Sequence, residues 1–197
     1  MAAFVGLALL EVIRARDLPS EILDAEDPAQ TMPRRLGLTE AVELQIRQLR
    51  KDVKRRRKIT DEQARDLFRL VLRRPDAEEV FFQAGELLAG KDVSLRGLKR
   101  IYPRGILFAL ARRQFRRRIH TLFGRSVGGF GKGPFVLEAR GHFLLDMDPG
   151  GDACALITGL SQTLLRRYLQ GSLRVVHRSC QGRKADLCQW TVASSPG

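Results

Sequence analysis

The strongest constraint on the fold is a group of metal-binding residue types near the end of the chain. The cysteines of the 197-residue sequence are Cys154, Cys180 and Cys188, and His177 precedes the second of them by three positions. His177 and Cys180 lie before a predicted turn and Cys188 lies after it, so a hairpin brings these three side chains together. Cys154 lies at the start of the preceding predicted helix. Three cysteines and one histidine form a ligand set that zinc binds in tetrahedral geometry.

The predicted surroundings of these residues define the expected role of the metal. Cys154 lies in the first turn of a helix that Asp152 is expected to cap, where the helix dipole favours a thiolate over a thiol. Four protein ligands leave no open coordination position, so a bound zinc ion is expected to be structural. The alternative is that the cysteines are small buried hydrophobic residues and that His177 is a hydrogen-bonded strand residue. The spacing alone leaves both interpretations open.

The cysteines and the N-terminal segment also bear on where the protein works. An odd number of cysteines, all beyond residue 150 and preceded by no secretory segment, argues against a disulfide framework and favours the reducing cytoplasm. The apolar run 2–10 has no basic lead-in and is far shorter than the roughly 20 residues of a membrane span. We interpret it as a short helix of the core or of a docking surface, and no transmembrane segment is expected.

Composition divides the chain into three predicted parts. Prolines and Gly37 interrupt the segment 14–37, which is interpreted as a connector. The following segment is long enough and apolar enough to form one domain with its own core. The predicted parts are an N-terminal helix and connector over 1–37, a domain over 38–193 and a tail over 194–197.

Helices are predicted in the first two thirds of the chain. Thr60 and Gln63 form a capping box, Asp76 is interpreted as an N-cap, and Gly90 stands where a helix C-terminus needs a left-handed residue. The predicted helices cover 40 to about 58, 60–73, 76–90 and a helical region that begins at 94 or 97 and includes 106–123.

A change of hydrophobic period after Pro134 predicts strands. The glycine-rich stretch 124–133 is interpreted as a mobile connecting loop. The order of helices, two strands, one helix and two strands predicts an α+β fold, in which helices cover one face of a small antiparallel four-stranded sheet. The two predicted strand pairs and the helix between them are 135–140 and 142–146, 173–179 and 186–192, and 152–171.

The cysteine and histidine pattern near the end of the chain resembles the motif of a known family. It reads Cys154-x4-Gly159, then His177-x2-Cys180-x7-Cys188-x-Trp190-x-Val192. This pattern is similar to that of the 4-vinyl reductase domain, which has the TRAPP-like ligand-binding fold of vesicle-tethering subunits, heme-nitric oxide sensors and phenol-responsive activators. The resemblance covers about residues 134–192, with Gly85 and Gly90 as weaker agreement upstream. In the phenol-sensing members the metal ligands are three cysteines and a glutamate, and His177 stands in place of that glutamate.

The resemblance implies a pocket for a small hydrophobic or aromatic ligand between the helices and the sheet, and it implies a homodimer. Aromatic residues at helical or strand spacing also fit a plain core, and His142 also fits the solvent face of a strand. The candidate pocket residues are Phe81, Phe108, Phe115, Phe135 and His142.

The function implied by the resemblance is that of a non-catalytic sensor or carrier. The chain has no dinucleotide-binding fingerprint, so it is not expected to be a reductase or another enzyme. Two alternatives remain open at this point. One is an accessory protein of tetrapyrrole biosynthesis that presents a substrate, and the other is a dimeric scaffold or adaptor.

The net charge of +13 requires that acidic partners be considered. Arginine-rich runs occupy 55–58 and 112–118 and are interpreted either as solvated helix faces or as a surface for nucleic acid, an anionic membrane or an acidic protein. No recognition-helix pattern or aromatic platform for single strands accompanies them.

Overall fold

The described part of the chain folds into helices and one sheet. The computed structural model describes residues 1–17, 40–90, 102–169 and 173–194. Within these residues there are seven α-helices and one four-stranded antiparallel sheet, which confirms the predicted α+β class. The helices are α1 (Ala3–Asp17), α2 (Glu40–Lys54), α3 (Asp61–Leu72), α4 (Ala77–Leu88), α5 (Arg104–Phe123), α6 (Phe143–Met147) and α7 (Ala155–Tyr168).

The sheet has the strand order β1-β2-β4-β3. Its two central strands pair between Leu137 and Trp190, and the last two pair between His177 and Trp190. This arrangement sets the end of β3 beside the start of β4, where three of the predicted metal ligands lie. The strands are β1 (Gly129–Phe130), β2 (Val136–Ala139), β3 (Leu173–Ser179) and β4 (Cys188–Ser194).

Two of the predicted helix boundaries depend on interactions within a single turn of the chain. At the start of α3, Thr60 Oγ1 accepts a hydrogen bond from the Gln63 backbone N–H at 3.1 Å, and Gln63 Oε1 accepts one from the Thr60 N–H at 3.0 Å. The predicted capping box is therefore confirmed. Gly90 has a φ of +83° just beyond α4, as predicted. The predicted helix start at 94 or 97 and the predicted helix end at 171 lie outside the described residues.

The predicted end of α2 at about residue 58 is wrong. The helix ends at Lys54, and Arg56 takes a left-handed φ of 54°. Lys58 then pairs with Ala2 in an isolated antiparallel bridge, and the Ala3 N–H donates to the Arg57 carbonyl at 3.2 Å. The helix therefore ends early because residues 57 and 58 pair with residues distant in sequence. Helical propensity contains no information on such contacts.

The first helix, α1, belongs to the same core as the later helices. Val5 and Leu9 are fully buried in one hydrophobic cluster with Phe68 and Phe81. The helix runs to Asp17, well beyond the predicted apolar run 2–10, because its last turn is held by an ionic network. None of the described helices is both long enough and apolar enough to cross a membrane.

This ionic network joins α1 to the turn between α3 and α4. Arg74 binds Asp17 through two nitrogens at 2.7 and 2.9 Å and donates from Nε to Asp76 at 2.8 Å. Arg16 Nε donates to the other Asp76 oxygen at 2.7 Å. Asp76 stands at the N-cap position of α4, as predicted, but its side chain makes no capping hydrogen bond. Two guanidinium groups bind the carboxylate more strongly than a backbone N–H would.

The same network predicts a dependence of stability on pH. Hydrogen bonds from Arg74 first, and then from Arg16, lower the pKa of Asp76 from 3.8 to about 2. Since the pKa is lower in the folded protein than in the unfolded one, the carboxylate stabilises the fold above about pH 4, and this contribution is lost as the pH falls through about 2. Asp76→Asn should lower the melting temperature at pH 7 by about 2–4 °C, the effect of roughly 1 kcal/mol.

Thermal denaturation of both proteins between pH 2 and 7 measures this effect. The difference in melting temperature should shrink as the pH falls below about 4. Asp66→Asn serves as the control because Asp66 pairs with Arg69 at 3.4 Å on the surface, where both side chains are more than 60% exposed. A constant difference across the pH range, or an equal effect of the control, would contradict the prediction.

Helices α4 and α7 cross with their backbones in contact. A Cβ atom built at Gly85 would collide with the carbonyl oxygen of Leu156, and one built at Gly159 would collide with the carbonyl oxygen of Phe82. Only glycine permits so close an approach from both helices. This crossing fixes the start of α7, and therefore Cys154, relative to the body of the protein.

The predicted strand 142–146 is wrong. Gly141 turns the chain with a φ of +53°, and residues 143–147 form the short helix α6. Phe143 and Leu144 are both buried, and the Phe143 ring packs 4.7 Å from that of Phe123 at the end of α5. The fourth strand of the sheet is instead β1, inside the predicted glycine-rich loop. Two residues are too few to show the alternation that predicts a strand.

Candidate metal centre and ligand groove

The four predicted metal ligands come from three parts of the fold. Cys154 ends a 3₁₀ turn, Asp152–Cys154, that leads directly into α7. His177 lies on β3, Cys180 follows that strand, and Cys188 is the first residue of β4. A β-bulge between His177 and Ser179 shifts the register of the hairpin at this point. Bulges bend a strand and redirect its side chains, and this one lies where the ligands must converge.

The distances between the ligand atoms match a shared metal ion. The sulfur and nitrogen atoms that the four residues offer all lie within 4.8 Å of one another. The Cys180 sulfur is 4.0 Å from that of Cys154 and 3.9 Å from that of Cys188. A tetrahedral site with Zn–S bonds of about 2.3 Å has sulfur atoms about 3.8 Å apart, whereas a disulfide bond measures about 2.05 Å. The cysteines are therefore free thiols spaced as metal ligands.

The environment of these side chains also fits a metal. Cys154 and Cys188 are fully buried and Cys180 is 5% exposed. The His177 ring stacks on that of Trp190 at 4.6 Å and 8°, and its Nε2 atom is buried without a hydrogen-bond partner among the described residues. A buried imidazole nitrogen without a partner is unfavourable, and a metal ion at the cluster would bind a nitrogen of this ring. Thiolate and imidazole ligands in such a set suit zinc.

The thiols have opposite tendencies to ionise. Hydrogen bonds to the Cys188 sulfur, from Cys154 first and also from His142, His177 and the Gln181 N–H, lower the pKa of Cys188. The pKa of Cys154 is raised, first because its thiol donates to Cys188 and then because it is buried. Metal binding would displace the remaining thiol protons.

Asp148 is a functional residue that the sequence analysis missed. Its carboxylate is 4% exposed and accepts hydrogen bonds from the Ala153 N–H at 2.7 Å and the Gly150 N–H at 3.0 Å. It thus caps the turn that carries Cys154, a role predicted for Asp152. Asp152 makes no side-chain cap and instead pairs with Arg183 at 3.1 Å. The only signal for Asp148 was its place before Pro149 in a turn sequence.

His142 lies at the metal centre and not at a ligand pocket. It is 4% exposed, so the predicted alternative of a solvent-facing strand residue is wrong. Its Nε2 atom is 3.8 Å from the Cys154 sulfur, and it contributes a hydrogen bond to Cys188. Gly141 places it there, because the Gly141 N–H donates to Gln181 Oε1 at 2.8 Å beside the cysteine-bearing turn. His142 therefore contacts the ligands without belonging to the set of four.

The predicted pocket phenylalanines divide between two places. Phe81 packs on Phe68 at 5.2 Å in the core, and Phe108 is buried on the N-terminal half of α5. Phe115 and Phe135 come together at 6.3 Å, and both contact Phe130, a residue that the sequence analysis passed over in the glycine-rich loop. The structure therefore brings two of the five candidates together.

A groove lies beside this aromatic cluster. Its volume is about 660 Å³, and it runs between the C-terminal half of α5, the segment 126–128 and strands β1 and β2. Its apolar lining residues are Phe115, Ile119, Val127, Phe130 and Leu137, and its polar edge includes Arg116, Arg117 and His120. Small-molecule sites in proteins usually measure about 300–1,000 Å³ and are mainly apolar, so the groove has the size and lining of such a site.

Comparison of the chain with protein-family models, curated proteins and solved structures finds no match. The functional assignment therefore depends on the geometry of the metal centre and of the groove.

Substitutions of the three histidines should separate ligands from neighbours. His177→Ala removes one of four ligands and should weaken zinc binding by well over the roughly 10–100-fold that follows loss of a ligand's hydrogen-bond partner. His142→Ala should fall within that 10–100-fold range, because His142 contacts ligands. His120→Ala is the matched control, since His120 is exposed on α5 and should leave the affinity unchanged.

Competition with a chromophoric zinc chelator measures the three affinities. Equal losses for His142→Ala and His177→Ala would show that both histidines bind the ion, which would contradict the four-ligand set proposed from the geometry.

Proposed function

We propose that the protein is a non-catalytic sensor or carrier domain that binds a small hydrophobic ligand and is stabilised by a structural zinc ion. The observation that carries this proposal is the convergence of Cys154, His177, Cys180 and Cys188 within 4.8 Å, at the positions where the chain resembles the 4-vinyl reductase family. A structural zinc site in this motif is the feature that relates the chain to that class of ligand-binding domain.

The four residues would hold zinc as a crosslink and not as a catalyst. Protein ligands fill all four tetrahedral positions, so no position remains for water or a substrate. The ion would join the start of α7 to both strands of the last hairpin. The chain's own residues support this arrangement: the Gln181 N–H donates to the Cys188 sulfur at 3.3 Å, and Arg183 pairs with Asp152 and with Glu78 of α4, both at 3.1 Å.

The ligand is assigned to the groove beside α5. A larger cavity of about 970 Å³ lies between α4, α7 and β3, but charged residues of both signs, including Glu78, Glu79, Arg166 and Arg174, line its walls. An apolar molecule there would desolvate charges without pairing them, which is unfavourable. The groove beside α5 has an apolar floor and is the better site for a hydrophobic molecule.

Two measurements on the purified protein test the proposal. Elemental analysis of protein prepared without chelators should find about one zinc ion per chain. Native mass spectrometry should then detect a small molecule bound to the zinc-loaded chain, or should detect one after incubation with a set of hydrophobic compounds. Protein that folds fully without metal would contradict the structural role of zinc, and failure of every hydrophobic compound to bind would contradict the ligand-binding function.

A further inference from the structure

The floor of the groove beside α5 is closed and apolar. Phe115, Ile119, Val127 and Leu137 are each only 1–3% exposed, and Phe130 is half-buried above them. The rings of Phe115 and Phe130 meet edge to face at 5.8 Å. A molecule that enters must therefore place an apolar group against these side chains, which favours a hydrocarbon chain or ring.

The edge of the groove is cationic. Arg116 and Arg117 line it together with His120, and Arg113 lies one turn earlier on the same exposed side of α5. Within the described residues, none of these three arginines forms an ion pair with a carboxylate. Arg116 and Arg117 therefore place two positive charges at this edge without a carboxylate partner, and an anion there would be attracted by both.

Two guanidinium groups also lie over the Phe130 ring. The Arg116 guanidinium lies 5.2 Å from the centre of the Phe130 ring, and that of Arg112 lies 5.6 Å from it. Arg112 is held by hydrogen bonds to the carbonyls of Gly133 and Pro134. Arg116 has no such anchor among the described residues, so its side chain can move from the ring to a bound anion while the hydrocarbon part of the ligand replaces it on the ring.

We propose that the ligand of this groove is an amphiphilic anion. Such a molecule has a hydrocarbon chain and a carboxylate or similar head group, and it binds from solution and not from a membrane. This inference rests on the proposed ligand-binding function and specifies its substrate class. The chain packs on Phe115, Phe130 and Leu137, and the head group accepts charge-assisted hydrogen bonds from Arg116 and Arg117. A neutral hydrocarbon would leave the charges of Arg116 and Arg117 without an anionic partner, and a cation would be repelled.

Three single-chain compounds with the same tail test the head group: dodecanoate, dodecanol and dodecyltrimethylammonium. Isothermal titration calorimetry, below the aggregation concentration of each and at fixed ionic strength, measures their affinities for the zinc-loaded full chain. Dodecanoate should bind at least about tenfold more tightly than dodecanol, the effect of one or two charge-assisted hydrogen bonds, and the cation should bind most weakly.

A charge-matched pair of double variants tests the location. Arg116→Gln with Arg117→Gln should weaken dodecanoate binding at least about tenfold and change dodecanol binding little. Arg65→Gln with Arg73→Gln removes the same charge from exposed positions of α3 and its C-terminal cap that do not line the groove, and should change both affinities less than about twofold. Equal losses for dodecanoate in the two variants would mean non-specific attraction to a basic protein and would overturn the proposal.

The remaining outcomes separate this inference from the proposed function. Equal binding of dodecanol and dodecanoate would overturn the anionic class while leaving the ligand-binding function intact. Failure of all three compounds and of a wider hydrophobic set would overturn both. The protein could instead bind only phosphatidylglycerol vesicles or only a single-stranded oligonucleotide, and lose that binding in the Arg116→Gln and Arg117→Gln variant. This result would overturn the proposal in favour of a membrane surface or a nucleic-acid surface, respectively.

Discussion

Cys180→Ser is expected to remove the zinc ion and to lower the melting temperature by about 8–16 °C. A metal that binds only the folded state stabilises it by about 4 kcal/mol at a thousandfold excess over its dissociation constant, and each kcal/mol shifts the melting temperature of a chain of this size by about 2–4 °C. Cys180 is one of the four clustered ligands, and its sulfur lies within 4.0 Å of both other sulfurs. Elemental analysis and thermal denaturation measure the two effects.

Chelation of the wild-type protein provides the internal control for this variant. A strong zinc chelator should bring the melting temperature of the wild-type protein close to that of Cys180→Ser, and it should not affect the variant further. A reductant without chelator should leave the wild-type protein unchanged, because the cysteines are free thiols. A variant that retains stoichiometric zinc, or a large loss of stability that chelation does not reproduce, would contradict a structural metal at this site.

Gly159→Ala is expected to destabilise the protein by about 3 kcal/mol, a fall of about 6–12 °C in melting temperature. The added Cβ would meet the carbonyl oxygen of Phe82 on α4, and a backbone atom cannot move aside without separating the two helices. Thermal denaturation measures the effect. Gly85→Ala should cost a similar amount, because its Cβ would meet the Leu156 carbonyl oxygen from the opposite side.

Gly105→Ala is the matched control for this substitution. Gly105 lies in α5, and a Cβ atom there meets nothing within 4 Å. The same change should therefore stabilise the protein slightly, by about 0.5–1 kcal/mol, because alanine is the better helix former. The double variant of Gly85 and Gly159 should cost less than the sum of the two single changes, since one separation of the helices relieves both collisions. Strict additivity would argue against a shared contact.

Features governed by neighbouring residues could be predicted from the sequence. The capping box of Thr60 and Gln63 and the left-handed Gly90 depend on hydrogen bonds and backbone angles within one turn. The four metal ligands could also be predicted, because a hairpin necessarily brings His177, Cys180 and Cys188 together. The α+β class follows from the order of the elements.

Features governed by distant contacts could not be predicted in the same way. The segment 142–146 is apolar, and whether it forms a strand or a helix depends on the left-handed turn at Gly141 and on packing against Phe123. Asp76 and Asp152 both have good capping chemistry. Instead, Asp76 binds Arg74 and the distant Arg16, and Asp152 binds the distant Arg183. Asp148 caps the turn at Cys154 from a position that no spacing rule marks.

The groove was the least predictable part of the site. Phe81 and Phe115 both lie on helices and are both buried, yet only Phe115 lines the groove. Phe130, in a stretch dominated by glycine, shows no periodicity at all. The cationic edge likewise depends on which face of α5 packs against the sheet. Tertiary packing determines this face, and the sequence of α5 alone does not.

The stacking of His177 on Trp190 couples the candidate metal centre to tryptophan fluorescence. Trp190 is the sole tryptophan of the chain, so its emission is the whole indole signal of the protein. Its ring lies 4.6 Å from that of an imidazole placed to bind the ion, and a change in the charge on that imidazole alters the excited state of the indole. Binding and release of the proposed zinc ion should therefore change the intrinsic fluorescence, without any label near the site.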